Sequence, residues 1–315
     1  MTGTDPQASV VVVGAGAMGS VFGGRLAEAG VPTTLLDTDR ELVERLNSDG
    51  LRLVENGSER TLRVRASTDP SDVEPPTALL FFVKCHQTAR AAELAQPLAR
   101  DGAAVVSLQN GWGNADTLSE TFGDERLVVG VTYTSATVLE RGVVSSSGPG
   151  RTVLGPYADG EAGGLAETLG AALEAAGFPV EQPRPVLAEI WKKLVLNAAT
   201  LPTAALTGLT AGALAGSEEM HALVDAAAAE AVAVGQAKGF ELELGERLES
   251  IHSTLERAGS GKGSMLQDVE AGRRTEIDVI SGAVLRGADE HGVDVPVTRA
   301  LYALVTGFER ARGLR

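Results

Sequence analysis

Ten residues, V-V-V-V-G-A-G-A-M-G at positions 10–19, constrain this chain more than any others. Four β-branched residues in a row predict a buried strand. The glycine-rich stretch that follows predicts a tight turn, and S-V-F-G-G-R-L-A-E-A at 20–29 continues as a helix. Strand, G-x-G-x-x-G turn and helix in that order form a dinucleotide site through backbone geometry. Gly14 permits the turn, Gly16 lets the backbone approach a pyrophosphate, and Gly19 lets the helix pack close to the strand. Ala15, Ala17 and Met18 complete the loop, whose N–H groups and helix-start charge face the phosphates. The competing reading is a glycine turn of purely structural use.

The next strand, V-P-T-T-L-L-D, ends on Asp37, 21 positions beyond Gly16. That is close to the spacing of about 20 at which an acidic residue meets the ribose hydroxyls. A carboxylate there accepts from the 2′-OH and repels a 2′-phosphate, which favours NAD(H) over NADP(H). Arg40, three residues on, argues the other way.

Strand-like and helix-like pieces alternate through the first half of the chain. T-L-L-D is a strand, and R-E-L-V-E-R-L-N a helix ending near Gly50. L-R-L-V and T-L-R-V-R-A read as a polar hairpin. A-L-L-F-F-V-K (78–84) and A-A-V-V-S-L-Q-N are buried strands on either side of the helix A-A-E-L-A-Q-P-L-A. L-V-V-G-V-T-Y-T (127–134), G-V-V-S-S-S and R-T-V-L-G supply further strands. From about Pro183 the pattern turns helical, with three-and-four apolar spacing over 190–199, 220–237, 244–258 and 275–291. The proline-flanked E-Q-P-R-P marks a boundary. The expectation is an α/β chain: a doubly wound sheet domain over residues 1–183, then an all-α domain over 184–315, with the active site in the cleft between them.

Several polar residues stand where burial alone would not put them. Lys84 and Asn110 end buried strands, at the carboxyl edge where open α/β sheets bind ligands. Lys193 and Asn197 lie four apart in I-W-K-K-L-V-L-N and share a helix face. A lysine on a partly buried face is costly unless paired or used, and Glu276 could pair with it. Ser264 opens the segment G-S-M-L-Q-D-V-E-A-G-R-R-T-E-I-D that carries Glu276.

Taken in order, G-A-G-A-M-G, F-V-K-C-H-Q, L-Q-N-G-W-G, W-K-K-L-V-L-N and S-M-L-Q-D-V-E-A-G-R-R-T-E-I-D resemble the ketopantoate reductase family over nearly the whole chain. The resemblance implies a Rossmann domain followed by a helical domain, and reduction of a 2-keto acid by a nicotinamide cofactor, usually NADP(H) in this family. It implies that Lys193 is the catalytic lysine and that Glu276 hydrogen-bonds near it and the cofactor ribose. Ser264 and Asn197 would bind substrate. Lys84, Asn110 and Ala136 would line the cofactor and nicotinamide, with Asn110 also facing substrate. A positioned ammonium suits such chemistry, because it stabilises a developing alkoxide and supplies its proton.

The chain also departs from the family pattern. Leu201, Ala211 and Gly261 stand where the family commonly has asparagine, which points to a less polar substrate. The alternatives are a dehydrogenase of another hydroxy acid, opine-type included, or a nucleotide-binding sensor that has lost catalysis.

Other signals narrow the function classes. With 27 basic and 42 acidic residues, a net charge of −15 disfavours nucleic acid and anionic membranes as partners. A single cysteine, Cys85, fits a reducing cytoplasm. The N-terminal T-G-T-D-P-Q lacks a basic signal-peptide start, and no apolar run approaches the length of a membrane span. His86, His221, His252 and His291 show no metal-ligand spacing, so no metal is expected. G-S-G-K-G-S at 259–264 reads as a flexible connector presenting Ser264, and Trp112 and Trp191 as packing residues. A homodimer is the default assembly.

Overall fold

The computed structural model describes residues 8–99, 102–158 and 162–315; the N-terminal T-G-T-D-P-Q lies outside them. In chain order the elements are β1 (Val10–Val13), α1 (Ala17–Glu28), β2 (Thr33–Leu36), α2 (Arg40–Asp49), β3 (Leu51–Glu55), β4 (Ser58–Leu62), β5 (Arg65–Ser67), β6 (Ala78–Phe81), α3 (Thr88–Ala95), β7 (Ala104–Ser107), α4 (Asn114–Phe122) and β8 (Leu127–Thr132). There follow β9 (Ala136–Glu140), β10 (Val143–Ser146), β11 (Thr152–Pro156), α5 (Ala162–Ala175), β12 (Val180–Glu181) and α6 (Val186–Thr207). Six helices follow: α7 (Ala211–Ala215), α8 (Glu218–Ala237), α9 (Leu244–Ala258), α10 (Ser264–Glu270), α11 (Ser281–His291) and α12 (Pro296–Ala311). They divide into two compact units. One holds the described residues up to Gln109 with Asn114–Leu187; the other holds Asn110–Gly113 with Ala188–Arg315.

In the first unit, eight strands form a sheet in the order β12-β11-β8-β7-β6-β1-β2-β5. All neighbours are parallel except β11 against β8. The all-valine β1 is central and buried along its length, as a doubly covered parallel strand must be. The chain moves from β1 outward to β2, then back to β6 on the other side. The carboxyl ends of β1 and β6 therefore flank a topological switch point, where such sheets open a crevice.

The expected polar hairpin is met only in part: L-R-L-V falls in β3, which pairs with β4 in a second sheet, β4-β3-β10-β9, while T-L-R-V-R-A is split between the end of β4 and the start of β5, which joins β2 in the first sheet. Helix α1 packs against both, which explains its glycine pair. A Cβ on Gly23 would lie 2.4 Å from Leu35 of the large sheet, and one on Gly24 would lie 2.7 Å from Leu51 of the small one.

Three other segments differ from expectation. Strand β6 stops at Phe81, and Phe82–Lys84 leave the sheet before a short turn at Cys85–Gln87. Helix α5 is built from alanine, glycine and leucine, so its buried face (Ala162, Ala166, Leu169, Leu173) is masked by small residues all round. Strand β9 is almost wholly exposed and shows no alternation.

The second unit is helical and has its own core. Trp191 is fully buried, donates its indole N–H to the Ala231 carbonyl at 3.0 Å, and packs against Trp112 and Phe240. Helix α6 is 22 residues long and continues past Pro202, so Leu201 does lie on it. The expected helix over 275–291 begins only at Ser281. Upstream, the Thr275 hydroxyl takes the Ile277 N–H and Glu309 takes the Thr275 N–H, which diverts the backbone from helical pairing. Residues 259–263 form the expected connector, but Ser264 is already the first residue of α10.

Candidate active site

The glycine turn behaves as its sequence requires. Gly14 has φ +97°, a conformation natural only to glycine, and a Cβ there would lie 2.8 Å from the Val83 side chain after β6. A Cβ on Gly19 would sit 1.8 Å from the Gly14 carbonyl oxygen, so only glycine lets α1 approach the strand. Gly16 is the opposite case: it is exposed, and a Cβ there meets no described atom within 4 Å. Gly16 is also the N-cap of α1 and offers no capping side chain. Open space above free helix-start N–H groups is the cradle that a pyrophosphate needs, and the residues present fit a dinucleotide.

Asp37 follows β2 directly. Its carboxylate accepts the Ala15 N–H at 2.7 Å and the Asp39 N–H at 3.0 Å. The acidic group is therefore fixed against the glycine turn. Arg40, at the start of α2, is exposed and forms no ion pair among the described residues. Lys84 is partly buried just beyond β6, and Met18 and Ala136 pack on the unit's hydrophobic core.

One residue of this edge escaped the sequence reading. Gln109 is buried after β7 and donates to the Val83 carbonyl (2.8 Å) and the Thr88 hydroxyl (2.9 Å), joining the segments that follow β6 and β7. Its signal was the one that marked Asn110, a polar residue ending an apolar strand.

In the second unit, three sequence-distant residues come together. Lys193 on α6 donates to the Asn110 side-chain oxygen at 2.8 Å. Asn110 is delivered by the 110–113 loop, which crosses the backbone of residue 279: the Trp112 N–H bonds the Val279 carbonyl at 2.8 Å. Gly111 makes this crossing possible, with φ +89° and a would-be Cβ only 2.5 Å from the Val279 oxygen. The third member, Glu276, is buried on the irregular 272–280 segment. Burial pushes the Lys193 ammonium down from 10.5 to about 8, while the Glu276 charge pulls the other way. The adjacent Lys192 is occupied differently, in an ion pair with Glu189 at 2.7 Å.

Asn197 is buried one turn beyond Lys193 on α6. Ser264 is partly buried at the start of α10. No hydrogen bond among the described residues joins either to the Asn110–Lys193–Glu276 group.

Two of the three departures from the family pattern, Ala211 and Gly261, meet directly, and the third, Leu201, lies by Gly263, two residues beyond Gly261. A Cβ on Gly263 would lie 2.7 Å from Leu201, and the Ala211 N–H bonds the Gly261 carbonyl at 3.0 Å. A Cβ on Gly261 would stand 2.9 Å from the Ala258 carbonyl oxygen, so this backbone also resists a larger residue at that position.

One unit thus carries a glycine cradle at a sheet switch point, and the other a partly buried ammonium that donates to an amide oxygen within the field of a carboxylate, both features known from nucleotide-dependent oxidoreductases. Comparison with known proteins gives the family. Residues 10–159 match the family "Ketopantoate reductase PanE/ApbA", and residues 186–309 match its C-terminal partner. The curated 2-dehydropantoate 2-reductase of Halobacterium salinarum is 35% identical over 96% of this chain and 99% of its own length. That of Pyrococcus horikoshii is 30% identical over 96% and 98%.

Among solved structures, a ketopantoate reductase of Ralstonia eutropha superposes with TM-score 0.86 at 34% identity, covering 97% of this chain and 99% of that one. A ternary D-mandelate dehydrogenase with NADH and anilino(oxo)acetate gives TM-score 0.92 at 26% identity, covering 98% and 100%. The chain belongs to the ketopantoate reductase family and is a nicotinamide-dependent oxidoreductase.

Proposed function

We propose that this chain reduces a 2-keto acid to the 2-hydroxy acid, 2-dehydropantoate to pantoate being the reaction for which its curated relatives are named, with Lys193 as the general acid. The observation that carries the reading is the desolvated Lys193 ammonium beside Asn110 and within the field of Glu276. When bound, a reduced nicotinamide supplies the hydride to the carbonyl carbon. Lys193 faces the charge that then develops on oxygen and gives up its proton there. A pKa near 8 leaves it charged at neutral pH yet a far stronger acid than a free lysine. Asn110 fixes the amine's direction, and Glu276 keeps it charged. Asn197 and Ser264 hold the substrate, the latter at its carboxylate.

The glycine loop (Gly14, Ala15, Gly16, Ala17, Met18, Gly19) receives the pyrophosphate, with Lys84, Asn110, Ala136 and Glu276 lining the rest of the cofactor. Asp37, anchored at Ala15, supports NADH over NADPH, because a fixed carboxylate repels a 2′-phosphate. No helix among the described residues is long and apolar enough to cross a membrane. We place the enzyme in the cytoplasm as a homodimer, without nucleic-acid or membrane partners.

Leu201, Ala211 and Gly261, standing where the family commonly has asparagine, favour a second reading of the same chemistry, with a keto acid less polar than ketopantoate. Assaying 2-dehydropantoate, short aliphatic keto acids and phenylglyoxylate against NADH and NADPH, by loss of nicotinamide absorbance, tests both. Highest kcat/KM on 2-dehydropantoate supports the first reading, and on phenylglyoxylate the second. Silence throughout refutes both and leaves a nucleotide sensor.

A further inference from the structure

The chemistry above gives no task to a buried ionic cluster that borders Glu276. Glu309 on α12 is 0% exposed. A carboxylate so buried costs several kcal/mol unless its oxygens are satisfied, and an apolar residue would pack the helix more cheaply. One oxygen accepts the Thr275 backbone N–H at 2.7 Å; the other accepts the Arg315 guanidinium. Thr275 is the residue before Glu276.

Arg315 also bonds Asp278 at 2.8 Å, two residues beyond Glu276. Asp278 accepts in addition from the Tyr302 hydroxyl at 2.9 Å and Arg274 at 3.1 Å. Burial alone would raise the Asp278 carboxyl; the bonds from Arg315, Tyr302 and Arg274 outweigh that and hold it below the usual range. The irregular segment carrying Glu276 is thus pinned on both sides of that residue, and both pins lead to Arg315.

We propose that Glu309 and Arg315 are positioning residues, clamping Thr275 and Asp278 so that the Glu276 carboxylate stays fixed beside Lys193. Neither touches the reacting groups. The inference rests on the reading of Lys193 and Glu276 as a working pair. Release of the clamp lets Glu276 drift from Lys193, whose proton is then lost at lower pH.

The test is the pH profile of kcat/KM for keto-acid reduction by the full chain, with melting temperature recorded alongside. Glu276→Gln is the reference and should move the alkaline limb to lower pH. Arg315→Met should move it the same way by about half a pH unit, a loss of about threefold on the falling limb, with NADH affinity unchanged. Arg315→Lys should restore the limb, and Arg315→Met should add no shift in a Glu276→Gln background. Glu309→Gln should behave as Arg315→Met; if it does not fold, the 18%-exposed Arg315 side chain carries the test.

A limb moved by Glu276→Gln but not by Arg315→Met, with only the melting temperature lowered, overturns the inference alone. A shift that persists in the Glu276→Gln background does the same. A limb that Glu276→Gln leaves in place refutes the catalytic pair, and the inference with it.

Discussion

The proposed role of Lys193 as general acid predicts a pH dependence of reduction set by that residue's environment. With its pKa near 8, about nine in ten Lys193 side chains carry the proton at pH 7 and about one in eleven at pH 9. If that proton is the one transferred, kcat/KM for reduction falls about tenfold between those two pH values, and kcat/KM for oxidation of the hydroxy acid rises by the same factor. The quantity to measure is kcat/KM, because it reports the free enzyme. The limb in kcat should lie at higher pH, since the bound substrate anion favours the charged lysine.

Lys193→Arg separates charge from acidity. The guanidinium stays charged throughout this range and donates no proton. The variant should therefore lose about 10²–10⁴ in kcat/KM, the usual worth of general acid help, and its profile should be flat from pH 7 to 9. Stopped-flow or steady-state loss of nicotinamide absorbance, at saturating cofactor, reads both. A wild-type limb near 10.5, or a limb at 8 that survives Lys193→Arg, would show that another group controls the proton.

Glycine substitutions separate folding from binding. Gly16→Ala meets no described atom, so its melting temperature should match wild type while NADH affinity, by titration of nucleotide fluorescence, falls at least about tenfold (about 1.4 kcal/mol). Gly111→Ala should cost about 1–3 kcal/mol of stability in denaturant melts and lower kcat/KM, because its Cβ would strike the Val279 carbonyl and displace Asn110 from Lys193. Asp37→Ala should weaken NADH and strengthen NADPH, narrowing the ratio of their dissociation constants; an unchanged ratio would remove Asp37 from cofactor choice. Leu201→Asn should shift kcat/KM toward hydroxylated keto acids by about 10-fold or more relative to apolar ones in competition assays.

The parts of the fold that were legible in the sequence are those where one residue type has one physical use. Four consecutive valines can hardly be anything but a doubly covered strand, and β1 is that strand. Asp39 caps α2 by accepting the Leu42 N–H, and Gly50 ends that helix at φ +85°, so its bounds were readable. Helix α9 was equally plain because its apolar residues keep strict spacing. The parts that were missed share an opposite trait. In α5, glycine and alanine remove the contrast between faces on which periodicity depends. Strand β9 has almost no buried face, so there was no alternation to find.

The site was legible to the extent that its chemistry is expensive. Lys193 and Glu276 stand out because a charge on an apolar face costs free energy unless it is used or paired. The same test should have flagged Glu309, which lies in the helix R-A-L-Y-A-L-V-T-G-F-E-R at a position facing the core. It passed unnoticed because sequence places its partners out of sight: Thr275 offers a backbone N–H, which every residue but proline has, and Arg315 is six residues away, beyond the helix. Side-chain pairs at helical spacing can be read from sequence, whereas a carboxylate satisfied by a distant backbone looks like a surface residue until the fold buries it. Glu276 and Glu309 therefore differ in visibility, although both answer to the same cost of burying charge.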